Sequence, residues 1–346
     1  MGISVQRLDK TLESAWSTFA RRGREASFYH SLIWRDAVSA AFGHEAHYLV
    51  ALRDGQLAGI LPTFLIRSSL AGPMLVSVPY AVYGGIVADD PEVAERLFEA
   101  AKEVAEATGA GYVDLRSRRA ALPGLPVIDK YVIFIKELPP TPEQVLGSLP
   151  RKARAAARNA REKFALSVEF DDKLLEAVWR LYSRSMRRLG SLNYPLAFFK
   201  HLVQRSAGMH LVQIVRYRQR PVGGLVSFIW RDTVLPYFSG CDERYNFAGV
   251  NNYLYLTLME RAVGMGLRKF DFGRTRRDND GCVRFKCNQG FSPEPLEYQA
   301  YVPANGHDPG LSPDRARYRL AGAVWRRLPL AVTRPLGSWL ARSIPG

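Results

Sequence analysis

The chain has 346 residues, 47% of them hydrophobic and 23% charged, which suits a folded protein with room for two domains and excludes a disordered or low-complexity chain. Its 48 Lys and Arg against 33 Asp and Glu give 48 − 33 = +15, pointing to anionic partners. No apolar run approaches the roughly 18 residues needed to cross a bilayer, and the opening MGISVQRLDK has no signal-peptide core, so a cytoplasmic location is expected.

In chain order, residues 46–64 predict a strand, a polar turn and a second strand containing Gly59. Val78-Pro79-Tyr80 and Tyr83-Gly84-Gly85 follow, then a helix over 91–107 and a strand at Tyr112-Val113-Asp114-Leu115. The pattern breaks at ELPPTPEQ, near residues 140–150, where a domain boundary is expected. The next helix, over 149–163, is rich in alanine. It places Arg151, Arg154, Arg158 and Arg161 on one stripe about 80° wide. Such a stripe is either a solvated face or a comb for phosphate groups; like charges this close favour the comb. A helical stretch over 172–206 precedes a second hairpin, 210–229, with Gly224 in the place of Gly59. Leu235-Pro236-Tyr237 and Ser239-Gly240 come next, then a helix over 250–264 and a strand at Lys269-Phe270-Asp271-Phe272. Pro79 to Pro236 and Asp114 to Asp271 share one offset of 157 residues, so the chain reads as a duplication.

Three stretches hold nearly all the charge. Residues 149–166 are net +5, residues 273–286 net +3 and residues 312–346 net +6, together +14 of the +15. In the last stretch Leu320, Ala321, Val324, Trp325 and Leu328 are expected on one side of a helix, with Arg319, Arg326 and Arg327 on the other. Leu336, Trp339, Leu340 and Ile344 continue beyond Pro329 with Arg334 and Arg342. This is the pattern of a helix in an anionic membrane interface, or of a tail that buries its tryptophans against the body.

Several chemistries have no support. Cys241, Cys282 and Cys287 make no CxxC pair, and Cys282 and Cys287 read as small buried residues. His44 and His47 form an HxxH without a carboxylate helix, so no metal site is expected. Walker, dinucleotide and nucleophile-elbow motifs do not occur.

The order of elements, with Leu149-Pro150-Arg151-Lys152, Phe270-Asp271-Phe272-Gly273-Arg274, Phe285-Lys286 and Gly290-Phe291, resembles tandem GNAT acyltransferase domains arranged as in the FemAB family of peptidyl transferases. The YRLAGAVWRRLPLAV tail is similar to FemAB-like proteins of exosortase (PEP-CTERM) and exopolysaccharide systems. The resemblance implies an α/β (α+β) fold: a GNAT-like domain over 1–147, a second, catalytic one over 148–305 with mixed sheets, and a basic amphipathic tail over 306–346. It implies amine attack on an ester or thioester, with acyl-CoA or aminoacyl-tRNA as donor and a phosphate-bearing envelope or polysaccharide precursor as acceptor.

Lys286 then stands where the family's Phe-Lys motif places a substrate or transition-state contact. Asp271, at a strand's carboxyl end, is either a proton acceptor or a holder of Arg274 or Arg276, and the second role is favoured. Tyr237 is either a hydrogen-bond donor to the leaving group or a core tyrosine. Arg274 and Arg276 join the arginine stripe as phosphate contacts. Gly249, Asn251 and Asn252 form the donor loop, which departs from the family's CoA pattern because Asn246 and Asn251 replace its cation or amide and its last small residue. A nucleic-acid-binding module and a non-catalytic membrane scaffold are the competing readings.

Overall fold

In a computed structural model, the structure describes residues 2–308, 316–344 and 346, the side chains of 316–319 excepted. The expectations for Arg319 and for the start of the tail lie outside the described residues. Two units contain the chain: one holds residues up to Lys130, a segment from Leu296 and the residues from Trp339 onward; the other holds Tyr131–Pro295 and a segment ending at Ser338.

The first unit begins with β1 (Ile3–Arg7), α1 (Glu13–Arg22), α2 (Leu32–Phe42), β2 (Glu45–Ala46) and the hairpin β3 (Leu49–Arg53) and β4 (Gln56–Leu61). After β5 (Phe64–Ser68), β6 (Gly72–Val76) and β7 (Val87–Ala88) come helix α3 (Pro91–Thr108) and β8 (Val113–Leu115). Strands β1, β3, β4 and β7 pair antiparallel in that order, while β6 runs parallel to β8, with Leu75 opposite Val113 and Val76 opposite Asp114. Gly59 has to be glycine because a Cβ would lie 2.5 Å from Val93 of α3, so the hairpin packs directly beneath that helix.

Strand β9 (Val127–Glu137) carries the chain into the second unit. There follow α4 (Pro142–Ser148), α5 (Arg151–Glu162), β10 (Ser167–Phe170), α6 (Leu175–Leu189) and α7 (Leu196–Arg205). The second hairpin is β11 (His210–Tyr217) and β12 (Arg220–Trp230), followed by β13 (Thr233–Cys241), α8 (Val250–Gly264), β14 (Lys269–Arg276) and α9 (Asp280–Asn288). These strands stand in the order β10-β11-β12-β13-β14-β9. Most residues of β11 and β12 are buried, because α6 covers one face and α8 the other. Gly223 faces α8 (its Cβ would be 2.7 Å from Val250) and Gly224 faces α6 (3.1 Å from Val178). The counterpart of Gly59, under the helix that follows, is therefore Gly223 rather than Gly224; one step along a strand reverses the face. Helix α8 is buried on almost every side and anchors a core with Phe134, Phe270 and Phe291.

The duplication is real, but the contiguous division at 147/148 and 305/306 does not describe the units. Strand β9 precedes that boundary in sequence, yet Tyr131–Glu137 pair with β14; β15 (Pro293–Tyr301) follows the second repeat, yet Gln299–Tyr301 pair with β8. Each repeat's strands are thus extended by a strand from elsewhere in the sequence, which pairs backbone that the repeat cannot satisfy alone. Nor is the tail a separate element. Helices α10 (Ala316–Arg327) and α11 (Leu330–Leu340) belong to the second unit up to Ser338. Trp325 is buried, Arg187 Nη1 donates to Leu328 O at 3.1 Å, and Asn193 Nδ2 donates to Arg334 O at 3.2 Å.

Candidate active site

Strands β13 and β14 are parallel and pair at two positions only, Thr233 with Lys269 and Val234 with Phe270. Each strand then bulges. In β13, Tyr237 is the extra residue between the pairs Val226–Phe238 and Ser227–Pro236. In β14, Phe272 and Gly273 oppose the single residue between Ile135 and Ile133 of β9. Bulges sharpen twist and turn strands off their common path, and beyond Val234 and Phe270 the two strands no longer pair; this unpaired stretch is the candidate cleft.

Lys286 secures the β14 bulge. Its Nζ donates to the carbonyls of Phe272 (2.7 Å), Gly273 (2.9 Å) and Arg274 (3.2 Å), with the rings of Phe134 and Phe272 at 4.9 and 5.2 Å. All three ammonium protons are thereby engaged, so this lysine acts on the strand's geometry and does not present a free cation to a ligand. Burial brings its pKa down to about 8, opposed by Cys282 and Asp271. Asp271 is buried and accepts the Gly273 N–H at 2.8 Å, while Gly273 takes a φ of +69°. The two charged groups expected at the site thus converge on one turn of backbone.

Other side chains reach the cleft from α8 and α9. Tyr255 is buried, stacks edge-on against Phe272 at 4.5 Å and hydrogen-bonds with Ser239 of β13; burial raises its pKa far enough that the hydroxyl stays protonated. Cys241 Sγ donates to Asn251 Oδ1 at 3.0 Å, and burial pushes the thiol up to about 12, leaving it no nucleophile at neutral pH. Cys282 lies 3.5 Å from Thr275 Oγ1, and Cys287, expected buried, is exposed. Tyr237 is half-buried beside Phe238 and Phe228, at ring distances of 4.6 and 6.1 Å.

The donor loop ends at Gly249, φ +69°, where a Cβ would come within 3.0 Å of Ala156 O on α5. No side chain caps the 15-residue helix α8, so its first N–H groups have no side-chain acceptor. The amides of Asn251 and Asn252 serve the protein instead: Asn251 accepts from Cys241, and Asn252 accepts from Gln289 at 2.6 Å. Lys136 of β9 donates to Gln289 O at 3.0 Å, and burial lowers its pKa to about 8.

The arginine stripe is only partly free. Helix α5 packs through Ala153, Ala157 and Ala160, and Arg161 makes two hydrogen bonds to Glu260, at 2.6 and 2.8 Å, which removes it from the phosphate comb. Arg151, Arg154 and Arg158 have no ion pair among the described residues, and Arg151 and Arg158 are exposed. Arg274 stacks over Tyr131 at 4.9 Å, and Arg276 is held by Asp278 at 2.6 and 2.9 Å.

In the first unit the corresponding positions are occupied differently, and a cavity of about 640 Å³ lies beside the start of α3, lined by Gly85, Asp90 and Ser117 among others. Arg116 is buried; its Nε donates to Asp114 at 2.9 Å and its Nη1 to Val78 O at 3.3 Å, where β6 and β8 stop pairing. The N-terminus of α3 is capped by Asp90, which accepts the Val93 N–H at 3.1 Å and pairs with Arg53. Among the described residues, the two repeats thus differ at this helix start: α3 is capped by a side chain and α8 is not.

Sequence reading missed Tyr255, Ser239, Gln289 and Lys136. Tyr255 sits in an apolar helix where every position reads as core, and Lys136 ends a strand assigned to the other domain.

Residues 148–286 match the family model described as "Acetyltransferase (GNAT) domain". The chain carries a GNAT acyltransferase domain. Among solved structures, FemX is 15% identical over 87% of this chain and 97% of its own, with a TM-score of 0.69. The C-terminal domain of a putative lysylphosphatidylglycerol synthetase from Agrobacterium fabrum is 11% identical over 83% and 90%, at a TM-score of 0.56. A tandem GNAT protein from the clavulanic acid biosynthesis pathway is 11% identical over 89% and 100%, at 0.55. These similarities establish the fold, a tandem pair of GNAT domains. No curated protein matches the sequence.

Proposed function

We propose that this acyltransferase moves an acyl or aminoacyl group from an activated ester, acyl-CoA or aminoacyl-tRNA, to an amine on a phosphate-linked cell-envelope or exopolysaccharide precursor, working peripherally on the inner membrane. The observation that carries the reading is the β13/β14 cleft, open beside the uncapped N-terminus of α8. The acceptor amine attacks the donor carbonyl; a C–N bond forms, the C–S or C–O bond breaks, and the amine's proton leaves as the departing thiolate or alkoxide takes one up. Backbone N–H groups of β13 beyond Val234 face the oxyanion. Tyr255, kept protonated, is the proton source for the leaving group, with Ser239 orienting it. Tyr237 lies along the same strand and lines the acceptor side. Arg151, Arg154 and Arg158 hold the phosphates of the acceptor or of tRNA, with Arg274 nearer the bulge. Lys286 and Asp271 shape the cleft.

The likeness to FemX and to the putative lysylphosphatidylglycerol synthetase domain supports an envelope acceptor. The tail's similarity to exosortase-associated proteins favours an exopolysaccharide one. Mass spectrometry of mixtures containing the full chain, acetyl-CoA or an aminoacyl-tRNA, and an amine-bearing UDP-sugar peptide tests the reading. Transfer from one donor, slowed about 100-fold by Tyr255→Phe, is expected. Transfer unaffected by that substitution would remove Tyr255 from the mechanism, and transfer from neither donor would refute the reading.

A further inference from the structure

Among the described residues, eleven large apolar side chains are exposed, and five of them, Leu320, Val324, Val332, Leu336 and Trp339, lie on the two tail helices. On α11 the arrangement inverts that of an ordinary surface helix. Val332, Leu336 and Trp339, at i, i+4 and i+7, share one side and are 43%, 38% and 61% exposed. The opposite side, which packs on the protein, is small and polar: Thr333 is buried, and a Cβ on Gly337 would lie 2.6 Å from Asn193 Oδ1. The helix is thus fixed with its apolar side outward. On α10 the two groups are separated likewise, with Trp325 buried and Leu320 and Val324 outward. This corrects the expectation that Trp325 shares a face with them.

Charge identifies the occupant. Residues 316–346 contain no Asp or Glu, and Arg326, Arg327 and Arg342 are exposed. A second copy of the chain seated on this face by a two-fold axis would bring arginines against arginines. An anionic bilayer neutralises them and accepts a tryptophan at the depth of its headgroups. We propose that the outward face of α11, flanked by Leu320 and Val324 of α10, docks the protein on an anionic phospholipid surface. The inference depends on no donor or acceptor assignment, and it gives an envelope-directed transferase an attachment that needs no membrane-spanning helix.

Vesicle flotation of the full chain tests it, with phosphatidylcholine alone and with phosphatidylglycerol added. Binding is expected with the anionic vesicles and should weaken as salt is raised. Leu336→Ser with Trp339→Ser should lower the partition coefficient about tenfold or more at unchanged melting temperature. Arg326→Gln with Arg327→Gln should weaken binding to anionic vesicles alone. In the unaltered chain, brominated lipid should quench part of the tryptophan emission, a readout that needs no variant. Absence of both flotation and quenching, equal binding to neutral vesicles, or binding that survives the apolar double substitution would overturn the proposal. So would light scattering showing that the same substitution dissociates a dimer that does not bind vesicles.

Discussion

Replacing Lys286 by Met removes the ammonium that holds three successive carbonyls, and two opposing effects set the outcome. Hydrogen bonds from a charged donor contribute about 1.5–3 kcal/mol each, so three of them represent roughly 5–9 kcal/mol. Against this, keeping a buried lysine charged is costly: a folded pKa of about 8 instead of 10.5 corresponds to about 3 kcal/mol at neutral pH. The bonds win, and Lys286→Met should destabilise the protein by about 2–6 kcal/mol at pH 7. The sign of the pH dependence is fixed as well. Because the folded pKa is depressed, the unfolded chain binds more protons between about pH 8 and 10.5, so wild-type stability relative to the variant grows as pH rises through that window. Between pH 7 and about 9.5 the gap should widen by about 2 kcal/mol. Lys136, with the same depressed value, is present in both proteins and cancels in the difference. Urea denaturation of both proteins at several pH values gives the gap directly. A variant as stable as wild type at pH 7, or a gap that narrows with rising pH, would refute the account of the bulge.

Other substitutions probe the rest of the frame. Gly240→Ala should cost several kcal/mol in chemical denaturation, because the new Cβ would lie 2.3 Å from the backbone N of Tyr182 and only a shift of α6 could relieve it. Glu260→Gln should lower stability by about 1 kcal/mol or less, as Arg161 loses a partly exposed partner, and should strengthen polyanion retention by freeing that guanidinium. Changing Arg151, Arg154 and Arg158 together to Gln should leave melting unchanged and reduce the salt slope of anion binding by about two to three charges; an unchanged slope would show a solvated face.

The order of elements was legible because hairpin glycines, helix caps and the 157-residue offset are local marks. Strand exchange was not, since nothing around residues 127–137 shows that β9 completes the sheet of the later repeat. At the site, sequence singled out Lys286 and Asp271, but not the bulge whose carbonyls Lys286 holds, because backbone acceptors carry no sequence signature. Arg161 looked equivalent to its neighbours on the helical wheel until Glu260, 99 residues away, neutralised it. Gly223 and Gly224 show the same limit, as their faces depend on a register fixed by pairing with β11.

Donor binding mapped by hydrogen exchange tests the division of labour between the two repeats most directly, with acetyl-CoA and an aminoacyl-tRNA each added in turn. Slowed exchange at residues 235–241 and 249–253, with residues 77–85 and 89–93 unchanged, is the predicted result for the true donor. Protection confined to 77–93 would place the donor in the first repeat, where Asp90 caps α3, and would contradict the account.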